Sequence, residues 1–411
     1  MRTRLVITLL LCLPFSAFAQ QKENPRAAII EGVKTIAVPG VPGPLCVFAD
    51  AFVVATADVD GVPAPIIAAA SLGKGHLVAL GHEGYFSKST LATGDTELLI
   101  KQLIQYAGSG RPDPAAPIRV VYYRQPDIHD LGDAGIWPIK MERWDSELSL
   151  NDADILICAA DKIPPGEVER LERFVTSGGG IICGIPGWGW LQTHEGMTLA
   201  ADLVANTLFA RAGVAWVDGF IDVPPNKQLT IDPEPSKYLN ASIALAALRE
   251  AEKPGATKLS AADTNLAMSQ LLRCLDNLPR TTFDDELHAL VRADVMALPV
   301  PSPARPVTNE MGLTRLRLAA HLRACQDAPV NRVRAERAAE VFPGEVSDTA
   351  QRVSTEVPIH TAIPGWHSTG LYAPPGEFIH VDVTKELLDS QIRIGARRSI
   401  ENLPVWMPAG K

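Results

Sequence analysis

Three sets of residues in this sequence have types and spacing that suit chemistry. The first is Cys183, with His194 and Glu195 downstream of it. A cysteine nucleophile wants its thiol on a tight turn with an imidazole in reach, so that thiolate forms near neutral pH. Cys183 lies instead inside the apolar run IICGI, and the next turn, Gly184-Ile185-Pro186-Gly187, offers no nucleophile. The expectation is a buried structural thiol, with Cys183, His194 and Glu195 as the alternative triad of a cysteine hydrolase. The second set is the two His-Glu pairs. A peptidase zinc site of the H-E-x-x-H kind puts two imidazoles one helical turn apart on the same metal, with the glutamate between them to activate the bound water. His82-Glu83 meets Phe86 where the second histidine belongs, and His194-Glu195 meets Thr198. Neither pair completes the motif, so no metal site and no cofactor are expected in this chain. The third set is aromatic. Trp188 and Trp190, in GWGW, come after a strand at its carboxyl end, where open α/β sheets bind ligands. Flat rings there suit sugars, and packing against the sheet accounts for them equally well. His82, Glu83 and Tyr85 come after another strand in a turn-like setting. Hydrogen bonds that fix the loop are the first expectation for them and ligand contact the second.

The elements that must hold these residues are legible in periodicity and punctuation. Between residues 27 and 110 the pattern is a strand-rich α/β subdomain, with Val47 to Ala57 and His76 to Leu80 as apolar runs and Thr96 to Tyr106 as a helix. Residues 118–220 read as strand, strand, helix, strand: Ile118 to Tyr123, Ile155 to Ala159, then PPGEVERLERFVTSGGG, then Ile181 to Ile185. Val168, Leu171 and Val175 share one helical face, and Gly178 suits the left-handed residue that ends a helix. Strand, helix, strand predicts a parallel crossover and hence an α/β fold with a parallel sheet of flavodoxin-like or amidotransferase-like kind. Gly178-Gly179-Gly180 closes a helix and opens a strand, the reverse of the order that a phosphate cradle needs. Residues 236–345 turn to helical periodicity, with Ser260 and Asp263 as a capping box and the proline-rich linker 298–307 interrupting the module. Arg315, Arg317, Arg323, Arg332, Arg334 and Arg337 mix with Glu336 and Glu340 as a solvated helix face. From 354 to 411 strand character returns at Phe378, Ile379, Val381, Val383, Ile392 and Ile394, as the incomplete opening of a β-sandwich.

The first 19 residues, with Arg2 and Arg4 ahead of an apolar run and Ala17-Phe18-Ala19 before Gln20, read as a secretory signal peptide. An exported protein, periplasmic or extracellular and without a membrane span, is expected. Removing that segment takes away two arginines and moves the net charge from −9 to −11, which excludes nucleic acid as a partner. Of the cysteines left, Cys46, Cys158 and Cys183 sit in apolar strand-like runs. Cys274 and Cys325 lie on candidate helices of one region and are the expected disulfide pair.

Two stretches carry a family resemblance. Residues 357–383 contain Trp366, Ser368, Thr369, Gly370, Leu371, Tyr372, Ala373, Pro375, Gly376 and Glu377, which resembles the segment opening the β-sandwich ahead of the catalytic domain in enhancin-like zinc metallopeptidases. Residues 68–86 and 174–190 resemble the amidotransferase-like region of the animal TRP-channel-associated factors. The resemblance implies an exported accessory or targeting part of a mucin-degrading peptidase, binding glycoprotein or polysaccharide. Zinc is expected only in a further, downstream domain. A stand-alone glycan- or ligand-binding envelope protein is the other reading.

Overall fold

The computed structural model describes residues 24–113, 115–123, 136–141, 144, 150, 153–292, 298–302, 304–326, 347, 349–363, 365, 367–372 and 379–385. The expected signal peptide, the helix face expected at Arg332, Arg334 and Arg337 and the strand expected at Ile392 and Ile394 lie outside them. The chain divides into two units, Met1–Gln326 and Asp327–Lys411.

The first unit opens with α1 (Pro25–Ile29), β1 (Thr35–Ala37), β2 (Leu45–Val47), β3 (Phe52–Val59), β4 (Val62–Leu72) and β5 (Gly75–Leu80). Helices α2 (Lys88–Leu91) and α3 (Thr96–Ala107) lead to β6 (Ile118–Tyr123), β7 (Ile136–Met141) and β8 (Ile155–Ala159). Then come α4 (Val168–Thr176), β9 (Gly180–Gly184), α5 (Gly187–Thr193), α6 (Val204–Phe209), β10 (Val214–Trp216) and β11 (Gln228–Thr230). Four helices close the unit: α7 (Ala241–Ala251), α8 (Ala261–Asn277), α9 (Thr282–Arg292) and α10 (Gly312–Gln326).

A seven-stranded sheet of order β3-β4-β5-β9-β8-β6-β7 forms its centre. The pairs β5–β9, β9–β8, β8–β6 and β6–β7 are parallel, while β3, β4 and β5 run antiparallel as a meander. The predicted parallel crossover is β8–α4–β9. The boundary expected between residues 27–110 and 118–220 is corrected: the two regions share a single sheet, joined where β5 hydrogen-bonds to β9. The physical reason for joining is an open strand edge; β5 would otherwise leave its N–H and C=O groups unpaired.

Strand alternation builds two apolar layers. Leu77, Ala79, Leu156, Cys158, Ile181 and Cys183 point to one face, under Leu171 and Val175 of α4 and Leu208 and Phe209 of α6. Val78, Leu80, Ile155, Ile157 and Ile182 point to the other, under Leu99, Ile100, Leu103 and Ile104 of α3. Covering both faces is what makes these strands continuous apolar runs instead of alternating ones. Each such side chain contributes about 1.5–3 kcal/mol by leaving water. Gly178 ends α4 at φ 121°, and a Cβ there would stand 2.3 Å from the Gly110 carbonyl oxygen. Both the backbone angle and the close approach require glycine.

The apolar run Val47 to Ala57 is divided between two strands, β2 and β3. Phe48 to Ala51 turns, with Ala49 at φ 49°, so that β2 leaves the main sheet and pairs with β10. The helical module packs on that ribbon: Leu245, Leu248, Leu271, Cys274 and Leu316 share a core with Cys46, Phe48, Ala215 and Val217. Ser260 caps α8 through a 3.0 Å bond from the Asp263 N–H.

In the second unit, the described residues form no strand, and Ile379, Val381 and Val383 are exposed. The expected start of a β-sandwich is therefore not seen there. Alternating apolar residues make a strand only beside another strand, and the described residues of this unit supply none.

Candidate functional site

The carboxyl ends of β5 and β9 lie side by side, because Leu80 is paired with Gly184. The segments leaving these two strands therefore meet. After β5 come His82 and the 3-10 turn Glu83–Phe86; after β9 come Ile185, Pro186 and α5 with both tryptophans. The structure thus sets the backbone of His82 and Glu83 against Gly184, three residues before the helix that carries Trp188 and Trp190.

Each plays a different part. His82 accepts the Gly84 N–H at its Nδ1 (2.9 Å) and so caps the turn, while its Nε2 lies within 2.6 Å of where a Gly40 Cβ would stand. Glu83 Oε2 lies 3.5 Å from His82 Nδ1. Tyr85, a candidate for ligand contact by sequence, is fully buried between α3 and the sheet, and burial pushes its hydroxyl well up. It belongs to the core. Trp190 is also core, 5% exposed, with the His194 ring stacked on it at 4.3 Å. Trp188 is different. Its Nε1 donates to the Val41 carbonyl (3.0 Å), which fixes the indole half-buried at the rim, edge-on to the ring of Phe220. Phe220 is 62% exposed. Sequence reading passed over Phe220; the signal was an aromatic residue in the turn-rich, acidic stretch Asp218 to Asp222, where nothing nearby could bury it.

The alternative triad does not form as sequence allowed. Cys183 is inaccessible in the middle of the sheet, and its sulfur faces that of Cys158 at 3.4 Å, one strand across. Burial pushes the thiol up, the direction opposite to that of a reactive thiolate. His194 ends α5 and donates from Nδ1 to the Trp190 carbonyl (2.8 Å), with Thr193 Oγ1 at 3.0 Å. Glu195 is exposed. Where a nucleophile elbow would need room, the chain is closed over. A Cβ on Gly184 would meet the His82 carbonyl oxygen at 2.7 Å, and one on Gly187 the Val217 carbonyl oxygen at 2.2 Å. The open feature of this edge is the Trp188 and Phe220 face. The described residues hold no group of three or more His, Cys, Asp or Glu side chains placed to bind a metal ion.

Burial also sets a pH dependence. It holds the His82 imidazole below its ordinary value, against the opposing pull of Glu83, and does the same to His76. The unfolded chain therefore binds protons at these sites more readily than the folded one. Their stabilisation is whole above the ordinary histidine value of about 6.5 and is lost as pH falls through the lower folded values. The urea midpoint should drop between about pH 7 and about pH 5.5. His82→Asn, which keeps a capping oxygen but cannot titrate, should flatten part of that slope.

Comparison with known proteins places these features. Residues 10–226 match the family described as "TRPM8, N-terminal domain", and residues 348–406 match "N-terminal domain of M60-like peptidases". Human TRPM8 channel-associated factor 2 is 28% identical over 199 residues, 47% of this chain and 20% of that protein. Human TRPM8 channel-associated factor 1 is 26% identical over 249 residues, 60% of this chain and 25% of that protein. The chain thus spans a quarter or less of the length of these relatives. Among solved structures, IMPa from Pseudomonas aeruginosa in complex with an O-glycopeptide is 12% identical, with a TM-score of 0.40 over 77% of this chain and 35% of that one. IMPa metallopeptidase in complex with T-antigen is also 12% identical, with a TM-score of 0.41 over 71% of this chain and 36% of that one.

Proposed function

This chain belongs to the family described as the TRPM8 N-terminal domain, and we propose that it is the exported, non-catalytic targeting part of an enhancin-like peptidase that acts on glycoproteins. The observation that carries this reading is the pairing, in one chain, of that α/β region with the M60-like N-terminal domain at residues 348–406. In this reading the chain selects the substrate, and the zinc and the water that attacks the peptide belong to a peptidase domain.

Trp188 and Phe220 are the residues that would meet the glycan. A sugar presents an apolar face of C–H groups, and an exposed aromatic ring covers such a face at little entropic cost when the ring is already fixed. The hydrogen bond from Trp188 to Val41 provides that fixation. Tyr85 and Trp190 take no part, being spent on the core.

The test is binding of the purified chain to an O-glycosylated mucin-type peptide and to the same peptide stripped of its sugars. Preference for the glycosylated form is expected, with the peptide left uncut. Trp188→Ala and Phe220→Ala should each weaken it about tenfold, equivalent to about 1.4 kcal/mol. Equal binding to both peptides would remove the glycan reading, and cleavage by the chain alone would remove the non-catalytic one.

A further inference from the structure

We propose that Cys46 and Cys274 form a disulfide bond that fastens the helical module to the sheet. Cys46 lies on β2 and Cys274 on α8, 228 residues apart in sequence. Both are free thiols, exposed by 1% and 0%, and they meet in the shared core of the β2–β10 ribbon and the helices. Their sulfurs stand 2.6 Å apart, against 3.4 Å for Cys158 and Cys183. Even carbon atoms rest at about 3.5–4.0 Å in contact, so the first pair has been brought well inside ordinary packing distance. Cys274 thus faces Cys46, which corrects the expected pairing with Cys325; the side chain of Cys325 lies outside the described residues.

The chemistry is thiol–disulfide exchange with a small or protein-borne disulfide, RSSR. One cysteine, as thiolate, attacks a sulfur of RSSR; a protein–SR bond forms, the S–S bond of the donor breaks, and the first RSH leaves with a proton. The second cysteine attacks the protein sulfur of that mixed disulfide and expels the second RSH. The protein dithiol loses two electrons and two protons, and RSSR gains both. In the finished core burial pushes the Cys274 thiol well up, with only the neighbouring guanidinium of Arg273 among its larger influences pulling the other way, so the thiolate that starts the exchange forms before that core closes. Because the finished core admits no donor, the exchange belongs to the stage at which α8 docks. The bond closes a loop long enough to restrict the unfolded chain strongly. Cys158 and Cys183 lie directly opposite one another on adjacent parallel strands, where the sheet sets their separation, and they remain thiols.

The inference rests on the fold and not on the export or glycan readings. The full chain, unfolded under reducing conditions, is refolded in a mixture of reduced and oxidised glutathione, then denatured, alkylated and mapped by mass spectrometry. The expected result is a peptide joining Cys46 to Cys274, lighter by two hydrogens than its halves, with Cys158 and Cys183 alkylated. Its Tm should fall on reduction, and a Cys46→Ala/Cys274→Ala chain should show no such shift. Full alkylation of Cys46 and Cys274 after refolding would overturn the proposal, as would their distribution among several partners. Glycopeptide binding is measured separately, so failure of one reading leaves the other standing.

Discussion

Asn206→Leu should cost about 5 kcal/mol although it hardly alters the shape of the side chain. Asn206, on α6, is completely buried. Its Nδ2 donates to the carbonyls of Leu199 and Trp216 (2.9 Å each), and its Oδ1 accepts the Trp216 N–H at 2.8 Å. Leucine fills the space and satisfies none of these. One buried N–H and two buried carbonyls lose a partner, at about 1–3 kcal/mol each, in a site too closed for water to replace them. Against a total stability of about 5–15 kcal/mol, that is a large part of what holds the unit folded. Equilibrium urea unfolding checks it; a loss under about 1.5 kcal/mol would mean that these backbone groups find other partners.

Trp216→Ala is expected to cost about 4 kcal/mol, for a different reason. The indole is inaccessible, edge-on to Phe209 at 4.8 Å, and donates from Nε1 to the Leu80 carbonyl at 2.9 Å. Leu80 also receives the Ile185 N–H (3.2 Å), so its carbonyl is not stranded when the indole goes. The cavity therefore dominates over the lost hydrogen bond. Trp216→Phe separates the two effects, retaining most of the volume and losing only the bond, and should cost about 1 kcal/mol. Asn206 bonds the backbone of residue 216, which alanine keeps, but the cavity left by the indole lets water reach those groups, so the double variant should lose less than the two single losses together. Trp216 ties β10 to the end of β5 through the Leu80 carbonyl, and Asn206 ties α6 to β10.

Much of the frame was legible in sequence because it depends on local pattern. Gly178 as a helix end, Ser260 as a cap and the apolar runs of β5, β6, β8 and β9 each answer to residues a few positions away. Buried strands and amphipathic helices have distinct periods, and turn residues punctuate both. The absence of a second histidine after His82-Glu83 and His194-Glu195 is likewise a matter of counting four positions. The run LGKGHLVALGHEGYF, within the region that matches the first family, has residue types set by this packing.

Contacts distant in sequence decided the rest. Nothing near residue 27 or 118 announces that β5 will pair with β9 and merge two regions into one sheet; that depends on edges meeting after collapse. Trp188 and Trp190 are alike in sequence, two positions apart on one short helix. Two positions, about 200° round a helix, separate a rim facing Phe220 from a core facing the sheet, and only packing says which residue lands on which side. Tyr85 went to the core for the same reason, and Cys274 found Cys46 instead of a neighbour in its own module. Sequence by itself thus fixed which residues could be buried and where the chain must turn, because those depend on side-chain solubility and backbone sterics. Tertiary structure alone decided which buried groups meet, because pairing across 100 or 200 residues depends on the geometry of the finished core.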